Sequence, residues 1–156
     1  MRVLFLLLWF AVPAALGETI SGQVVAVADG DTLTIVDAAK RQHRIRLAEI
    51  DAPERKQAFG TQSRQSLAEL CLKKEAKVET QGPDSNKRYI GRVTCDGVDA
   101  SAEQVRRGMA WVSAKQTGPA SPLYELEAHA RLRQIGLWAD PQPVPPWEWR
   151  AVPRTK

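Results

Sequence analysis

Three short β-strand patterns follow one another near the start of this 156-residue chain, and they limit its fold more than any other feature. Residues 20–27, 32–36 and 42–47 are rich in β-branched residues or alternate polar with apolar ones, as half-buried strands do. Polar turns at residues 29–31 and 37–41 separate them. We therefore expect a β-meander in this part of the chain.

Two strand patterns and three helical patterns follow the meander: strands at residues 76–79 and 90–95, and helices at residues 59–74, 101–108 and 121–136. Ser101 and Gln104 have the spacing of a capping box, and Gly108 is expected to end that helix. Ser121 and Pro122 are a cap and a first-turn proline for the last helix. Short strands with helices inserted late predict an α+β, mainly β domain, a five-stranded OB-fold barrel with about three helices.

The two ends of the chain differ from the predicted domain at residues 18–140. Residues 1–17 contain one arginine, ten consecutive apolar residues and small residues before Gly17, which predicts a signal peptide. An uncleaved membrane anchor is the alternative, but a bilayer span needs about 20 apolar residues. Residues 141–156 form a Pro/Trp-rich tail, which we expect to be an extended strap with Trp147 and Trp149 packed on the barrel, or a flexible terminus.

Export changes how the charge and the two cysteines are interpreted. The net charge of +4, reduced by one when Arg2 leaves with the signal peptide, suits a polyanionic partner without requiring one. An oxidising compartment favours a disulfide between Cys71 and Cys95, and two buried free thiols are the alternative. We expect a periplasmic or secreted monomer with no stable membrane association after signal cleavage.

Acidic residues form two clusters next to predicted strand ends: Asp29, Asp31, Asp51 and Glu54. Gly30 allows a tight turn in the first cluster, so that its acids can face those of the second. Converging carboxylates, completed by backbone carbonyls and water, form a site for a hard cation such as calcium or magnesium. His43 and His129 are distant in sequence and lack metal-ligand spacing. An acidic β-turn without a ligand is the alternative that this pattern alone leaves open.

Arginines near these acids add the groups that phosphate chemistry needs. Arg46 lies five residues before Asp51, and a second basic cluster contains Arg88 and Arg92. A cation would polarise a phosphoryl oxygen, arginines would stabilise the extra negative charge of the transition state, and a carboxylate would activate water. Solvated surface charges in a basic domain are the alternative.

Four strings of residues occur together in one order, at residues 27–32, 44–54, 84–88 and 105–111. With fitting intervals, they resemble the staphylococcal nuclease (thermonuclease) family. Leu137 and Trp138 close the last helix as they do in that family. The resemblance covers residues 20–139, which is essentially the whole predicted domain.

The resemblance implies specific roles for several residues. The metal ligands are the carboxylates of Asp31 and Asp51 and the backbone carbonyl of Ala52, and the catalytic residues are Arg46, Glu54 and Arg88. Asp29 matches an outer-sphere acid, whereas the resemblance assigns no role to Glu49, which we expect to be a bystander. In much of the family the second catalytic arginine ends the motif Asp-x-Tyr-Gly-Arg. Arg88 is the ungapped match to it, although residues 84–88 lack the tyrosine and the glycine of this motif. Arg92 is the rival match, and choosing it moves the arginine by roughly 13 Å along a strand.

The function that the resemblance implies is an exported, calcium-dependent nuclease that hydrolyses the phosphodiester bonds of DNA and RNA with little sequence preference. The tyrosines that stack on the nucleotide in this family are absent, so stacking is weaker or is carried by Trp111. A non-catalytic nucleic-acid-binding OB-fold module is therefore the alternative. A calcium-stabilised module of the cell envelope is a more remote one.

Overall fold

The computed structural model describes residues 17–83 and 87–153. Within them the chain forms eight strands, four α-helices and one 3₁₀ helix: β1 Glu18–Val27, β2 Thr32–Asp37, β3 Gln42–Leu47, β4 Ile50–Asp51, α1 Gly60–Cys71, β5 Glu75–Pro83, β6 Tyr89–Cys95, β7 Val98–Asp99, α2 Ala100–Arg106, β8 Trp111–Val112, α3 Leu123–Leu132, the 3₁₀ helix Gly136–Ala139 and α4 Pro146–Ala151. The predicted signal peptide, apart from Gly17, and residues 84–86 lie outside the described residues. No helix in the described part is long and apolar enough to cross a bilayer.

Five strands close into a barrel. The strand order of the main sheet is β3-β2-β1-β5-β6, with the short β7 beyond β6. Neighbours in this order are antiparallel, and a parallel pairing of β3 with β6 closes the circle, with Arg46 opposite Ile90. The predicted five-stranded OB-type barrel in an α+β chain is confirmed. The helices are more numerous than the three that we expected.

Inward-facing side chains of these strands form the core. Buried and exposed residues alternate along β1, and Val24 on that strand is fully buried. Leu33, Ile45 and Val93 fill the barrel from the other strands, and Leu67 of α1 packs against them. The period-two pattern in the sequence therefore corresponds to the face that the barrel buries.

A disulfide joins Cys71 at the end of α1 to Cys95 at the end of β6. Their Cα atoms are 5.3 Å apart, and the residues are separated by 24 positions in sequence. Of the two alternatives, the structure contains the disulfide. It links the first helix to the barrel, and closing a loop of this length stabilises a fold by roughly 3–4 kcal/mol in the chain-entropy model.

Helix α2 has a different cap from the predicted one. Asp99 is the N-cap, and its carboxylate accepts a hydrogen bond from the third backbone N–H of the helix at 2.9 Å. Ser101 lies inside the first turn, where its hydroxyl donates to a carbonyl of the β3–β4 connection at 2.9 Å. The Ser101–Gln104 capping box was therefore wrong, because tertiary hydrogen bonds engage both side chains. Gly108 follows the helix with the expected positive φ.

The C-terminal tail packs on the domain as a helix. Pro146 is buried and is the first residue of α4. Proline suits this position, because the backbone N–H that it lacks would have no partner within the helix. Trp149 is partly buried beside Trp111 and Leu137, whereas Trp147 is 42% exposed. The prediction of an extended strap was wrong about conformation, and the predicted packing holds for one of the two tryptophans.

Candidate active site

The first acidic loop, between β1 and β2, lies against residues of two helices, α1 and α2. The backbone N–H of Asp31 donates to the Asp29 carboxylate at 3.1 Å, which shapes the turn. The Gly30 carbonyl accepts a hydrogen bond from the buried Gln104 amide at 2.7 Å. A Cβ at Gly30 would overlap the side chain of Ser63 on α1, so only glycine allows this close approach. The loop thereby turns Asp31 inward, where it is 4% exposed.

The second acidic loop meets the first through Asp31. Leu47, the last residue of β3, donates its backbone N–H to the Asp31 carbonyl at 2.8 Å. The backbone N–H of Ala52 donates to Oδ2 of Asp31 at 2.8 Å. Asp51, on β4, is 5% exposed and precedes Ala52 directly. The three residues predicted as metal ligands are therefore neighbours in space.

Arg46 connects the two carboxylates. It lies on β3 opposite Thr32 on β2, so its side chain starts beside the first loop. Its guanidinium donates to Oδ1 of Asp31 at 2.9 Å and to Oδ1 of Asp51 at 3.3 Å. The side chain is 14% exposed, so these ion pairs are largely shielded from water.

Burial and neighbouring charges shift the pKa values of Asp31 and Arg46. Burial raises the pKa of Asp31; the positive charge of Arg46 opposes this shift, and the neighbouring Asp29 reinforces it. Burial lowers the pKa of Arg46, but the charges of Asp31 and Asp51 outweigh that effect and raise it above its ordinary value. The charge of Arg46 does not outweigh the burial of Asp31, so a further positive charge near Asp31 would stabilise its ionised form.

Arg88 lines the same cleft as these residues. The cleft has a volume of about 370 Å³, and Glu54 also lines it. Glu54 has a 39% exposed side chain, and its backbone N–H donates to the Gln57 side chain at 3.0 Å. The cleft thus contains the six predicted side-chain members of the site together with Ala52: Asp29, Asp31, Arg46, Asp51, Glu54 and Arg88.

Arg150 in α4 is a member of the cleft that the sequence did not predict. Its guanidinium donates to both Asp51 carboxylate oxygens, at 3.2 and 2.7 Å, and to Oε1 of Glu54 at 2.8 Å. These contacts raise the pKa of Arg150, chiefly through the hydrogen bond to Asp51. The Pro/Trp-rich composition of the tail did not indicate that Arg150 would contact loops that lie about 100 residues earlier in the sequence.

The side chains of the cleft offer oxygen ligands of the kind that a hard cation prefers, but too few to complete its coordination. The candidate ligands are oxygen atoms, which calcium and magnesium prefer. Among residues 17–83 and 87–153, no group of three or more His, Cys, Asp and Glu side chains has a geometry that could hold a metal ion. Two carboxylates would therefore need a backbone carbonyl, water or a substrate oxygen to complete the coordination of a cation.

Comparison with known proteins shows the family to which the chain belongs. A family model described as staphylococcal nuclease homologue matches residues 44–140. The chain belongs to the staphylococcal nuclease family. A protein named uncharacterized endonuclease from Escherichia coli is 41% identical over 150 residues, which cover 95% of this chain and 94% of that protein.

Two further relatives carry nuclease names. An uncharacterized endonuclease from Haemophilus influenzae is 36% identical over 146 residues, covering 93% of this chain and 81% of that protein. A micrococcal nuclease from Shigella flexneri is 37% identical over 139 residues, which cover 83% of this chain and 79% of that protein. Membership of this family, with relatives of these names, supports an endonuclease that hydrolyses phosphodiester bonds.

Two residues singled out in the sequence do not line the acidic cleft. The carbonyl of Glu49 accepts hydrogen bonds from residues of the segment after β8, and its side chain is not among those that line the acidic cleft. Trp111 is 4% exposed, and its ring packs edge-on against Trp138 with centroids 5.3 Å apart. Trp111 therefore cannot stack on a nucleotide base, because its ring belongs to the hydrophobic core.

The two candidate arginines differ in position. Arg88 lines the acidic cleft, whereas Arg92 lies farther along β6, where its Nε is 3.6 Å from an Asp99 carboxylate oxygen. We expect Arg88→Ala to lower kcat/KM on single-stranded DNA by about 100- to 1,000-fold, the effect of removing one transition-state donor. Arg92→Ala, the matched control, should stay close to the wild type. A larger loss in Arg92→Ala would favour the rival alignment.

Proposed function

We propose that this protein is an exported, calcium-dependent nuclease that cleaves DNA and RNA with little sequence preference. The observation that carries the proposal is the bridge of Arg46 between Asp31 and Asp51, in a cleft that also contains Glu54 and Arg88. Membership of the staphylococcal nuclease family supports it independently. Export is supported by the composition of residues 1–17 and by the Cys71–Cys95 disulfide, which an oxidising compartment favours.

Hydrolysis of a phosphodiester requires a nucleophile and stabilisation of developing negative charge. Glu54 is suited to accept the proton of the attacking water, because its carboxylate is partly exposed at the cleft. Arg46 and Arg88 are suited to hold the phosphoryl oxygens, on which negative charge increases in the transition state. A calcium ion bound by Asp31, Asp51 and the Ala52 carbonyl would supply Lewis acidity to the phosphoryl group.

Carboxylates distinguish this proposal from a binding module. A protein that only binds nucleic acid gains nothing from acids facing a polyanion, since like charges repel across a cleft of low dielectric constant. Asp31 and Asp51 pair with arginines in the buried part of this cleft, and their carboxylates supply the oxygen ligands that a divalent cation prefers and that a binding module does not need. This charge pattern supports hydrolysis over binding alone.

A chelation experiment on residues 18–156 tests the proposal. Single-stranded DNA, double-stranded DNA and RNA are incubated with the protein in calcium, in excess EGTA, and in EGTA followed by added calcium. We expect cleavage of all three in calcium, no cleavage in EGTA, and recovery when calcium is restored. Binding of oligonucleotides without cleavage in any divalent cation and at any pH would instead identify a non-catalytic module.

A further inference from the structure

The C-terminal helix inserts an arginine between two groups with predicted roles in hydrolysis. Arg150 donates to both oxygens of Asp51 and to Oε1 of Glu54, with its closest contacts at 2.7 and 2.8 Å. It reaches across 99 positions in sequence to Asp51. Its side chain is 46% exposed, whereas that of Arg46 is 14% exposed. Arg150 therefore combines strong contacts inside the cleft with an open side that faces solvent.

The docking of the tail depends on contacts other than Arg150. Gln57 is 7% exposed, and its amide nitrogen donates to the Val144 carbonyl while its oxygen accepts the backbone N–H of Glu54. One buried side chain thus ties the tail to the loop that carries Glu54. Pro146 is buried, and the partly buried Trp149 lines a small cavity together with Trp111. The tail is consequently held in place when the guanidinium of Arg150 changes partners.

The guanidinium of Arg150 suits phosphate as well as carboxylate. Both ligands offer paired oxygens that match the planar fork of arginine. The two Asp51 oxygens that Arg150 contacts are those that the proposed function assigns to a cation, and a cation and a guanidinium repel one another at such distances. A cation at Asp51 would therefore displace Arg150 from this carboxylate toward the open side of the cleft.

We propose that Arg150 is a phosphate-binding residue of this active site, which releases Asp51 to the cation and binds a non-bridging oxygen of the substrate phosphodiester. The inference rests on the proposed function and deepens it, because it makes the C-terminal tail part of the substrate-binding site. No covalent step involves Arg150. Its charge adds to those of Arg46 and Arg88 around the phosphoryl group.

Two measurements on residues 18–156 test this role. The first is kcat/KM for cleavage of a single-stranded oligonucleotide in saturating calcium, and the second is calcium affinity by calorimetry without nucleic acid. The variants are Arg150→Ala and Arg150→Lys. Arg133→Ala is the control, because Arg133 is an exposed arginine at the end of α3 and does not line the cleft. Melting temperature is recorded for each protein.

We expect Arg150→Ala to lower kcat/KM by about 10- to 100-fold, the effect of losing one charge-assisted hydrogen bond. Its calcium affinity should rise, because a competing positive charge has left Asp51. Arg150→Lys keeps the charge without the fork, so its kcat/KM should lie between those of the wild type and Arg150→Ala. Arg133→Ala should match the wild type in both measurements.

Three results would overturn the inference. Equal kcat/KM in Arg150→Ala and Arg133→Ala would show that Arg150 does not contact substrate. An increase in kcat/KM would make the tail an inhibitory segment. A fall in calcium affinity together with kcat/KM would make Arg150 a positioning residue for Asp51. A wild-type protein that cleaves nothing would contradict the proposed function instead, and calorimetry would still report whether Arg150 and calcium compete.

Discussion

Glu54→Gln is expected to lower the turnover of single-stranded DNA by about 100- to 10,000-fold, the range for removal of a general base. Glutamine keeps the shape of the side chain and loses the ability to accept a proton from water. The fold should change little, because the Glu54 side chain is 39% exposed and its ion pair is with the half-exposed Arg150. An exposed pair of this kind stabilises a protein by about 1 kcal/mol or less.

Glu49→Gln is the matched control for this experiment. It makes the same chemical change five residues away, in a side chain that is not among those lining the acidic cleft. We expect its turnover and melting temperature to equal those of the wild type. Turnover of Glu54→Gln near the wild-type value would remove Glu54 from the role of base, while an equal loss in both variants would point to general damage to the loop.

The barrel strands were predictable because their signals are local. Alternation of polar and apolar residues in residues 42–47 matches the observed β3 in both bounds, and the observed β1 and β2 contain the predicted residues 20–27 and 32–36. The parallel pairing of β3 with β6 closes the barrel between segments more than 40 residues apart. No local pattern encodes that pairing. It could be expected only from the OB-type fold, which the number of predicted strands indicated.

The acidic half of the site was also predictable, because its residues lie next to strand ends. Asp31 and Asp51 meet at Arg46 since β2 and β3 pair in register beside both loops. Arg150 was missed because its position depends on how the tail packs, through Gln57 and Trp149, and packing of this kind leaves no periodic signal. The prediction of Ser101 as a helix cap was wrong for a related reason. Its hydroxyl donates to the Ala48 carbonyl, which is distant in sequence, instead of capping the helix.

Asp31 and Asp51 are the proposed ligands of the cation used in hydrolysis. Asp51→Asn tests this assignment best, since the substitution removes a charge from a buried carboxylate whose partners are the two arginines Arg46 and Arg150. Asp96→Asn is the control, because Asp96 is exposed in the β6–β7 turn with a positive φ that asparagine tolerates.

The deciding measurement is calorimetric calcium binding by the wild type, Asp51→Asn and Asp96→Asn, with oligonucleotide cleavage assayed on the same samples. We expect Asp51→Asn to stay folded and to lose both calcium binding and cleavage. Asp96→Asn should keep both. If Asp51→Asn binds calcium and cleaves DNA as the wild type does, Asp51 is not a ligand of a cation used in hydrolysis.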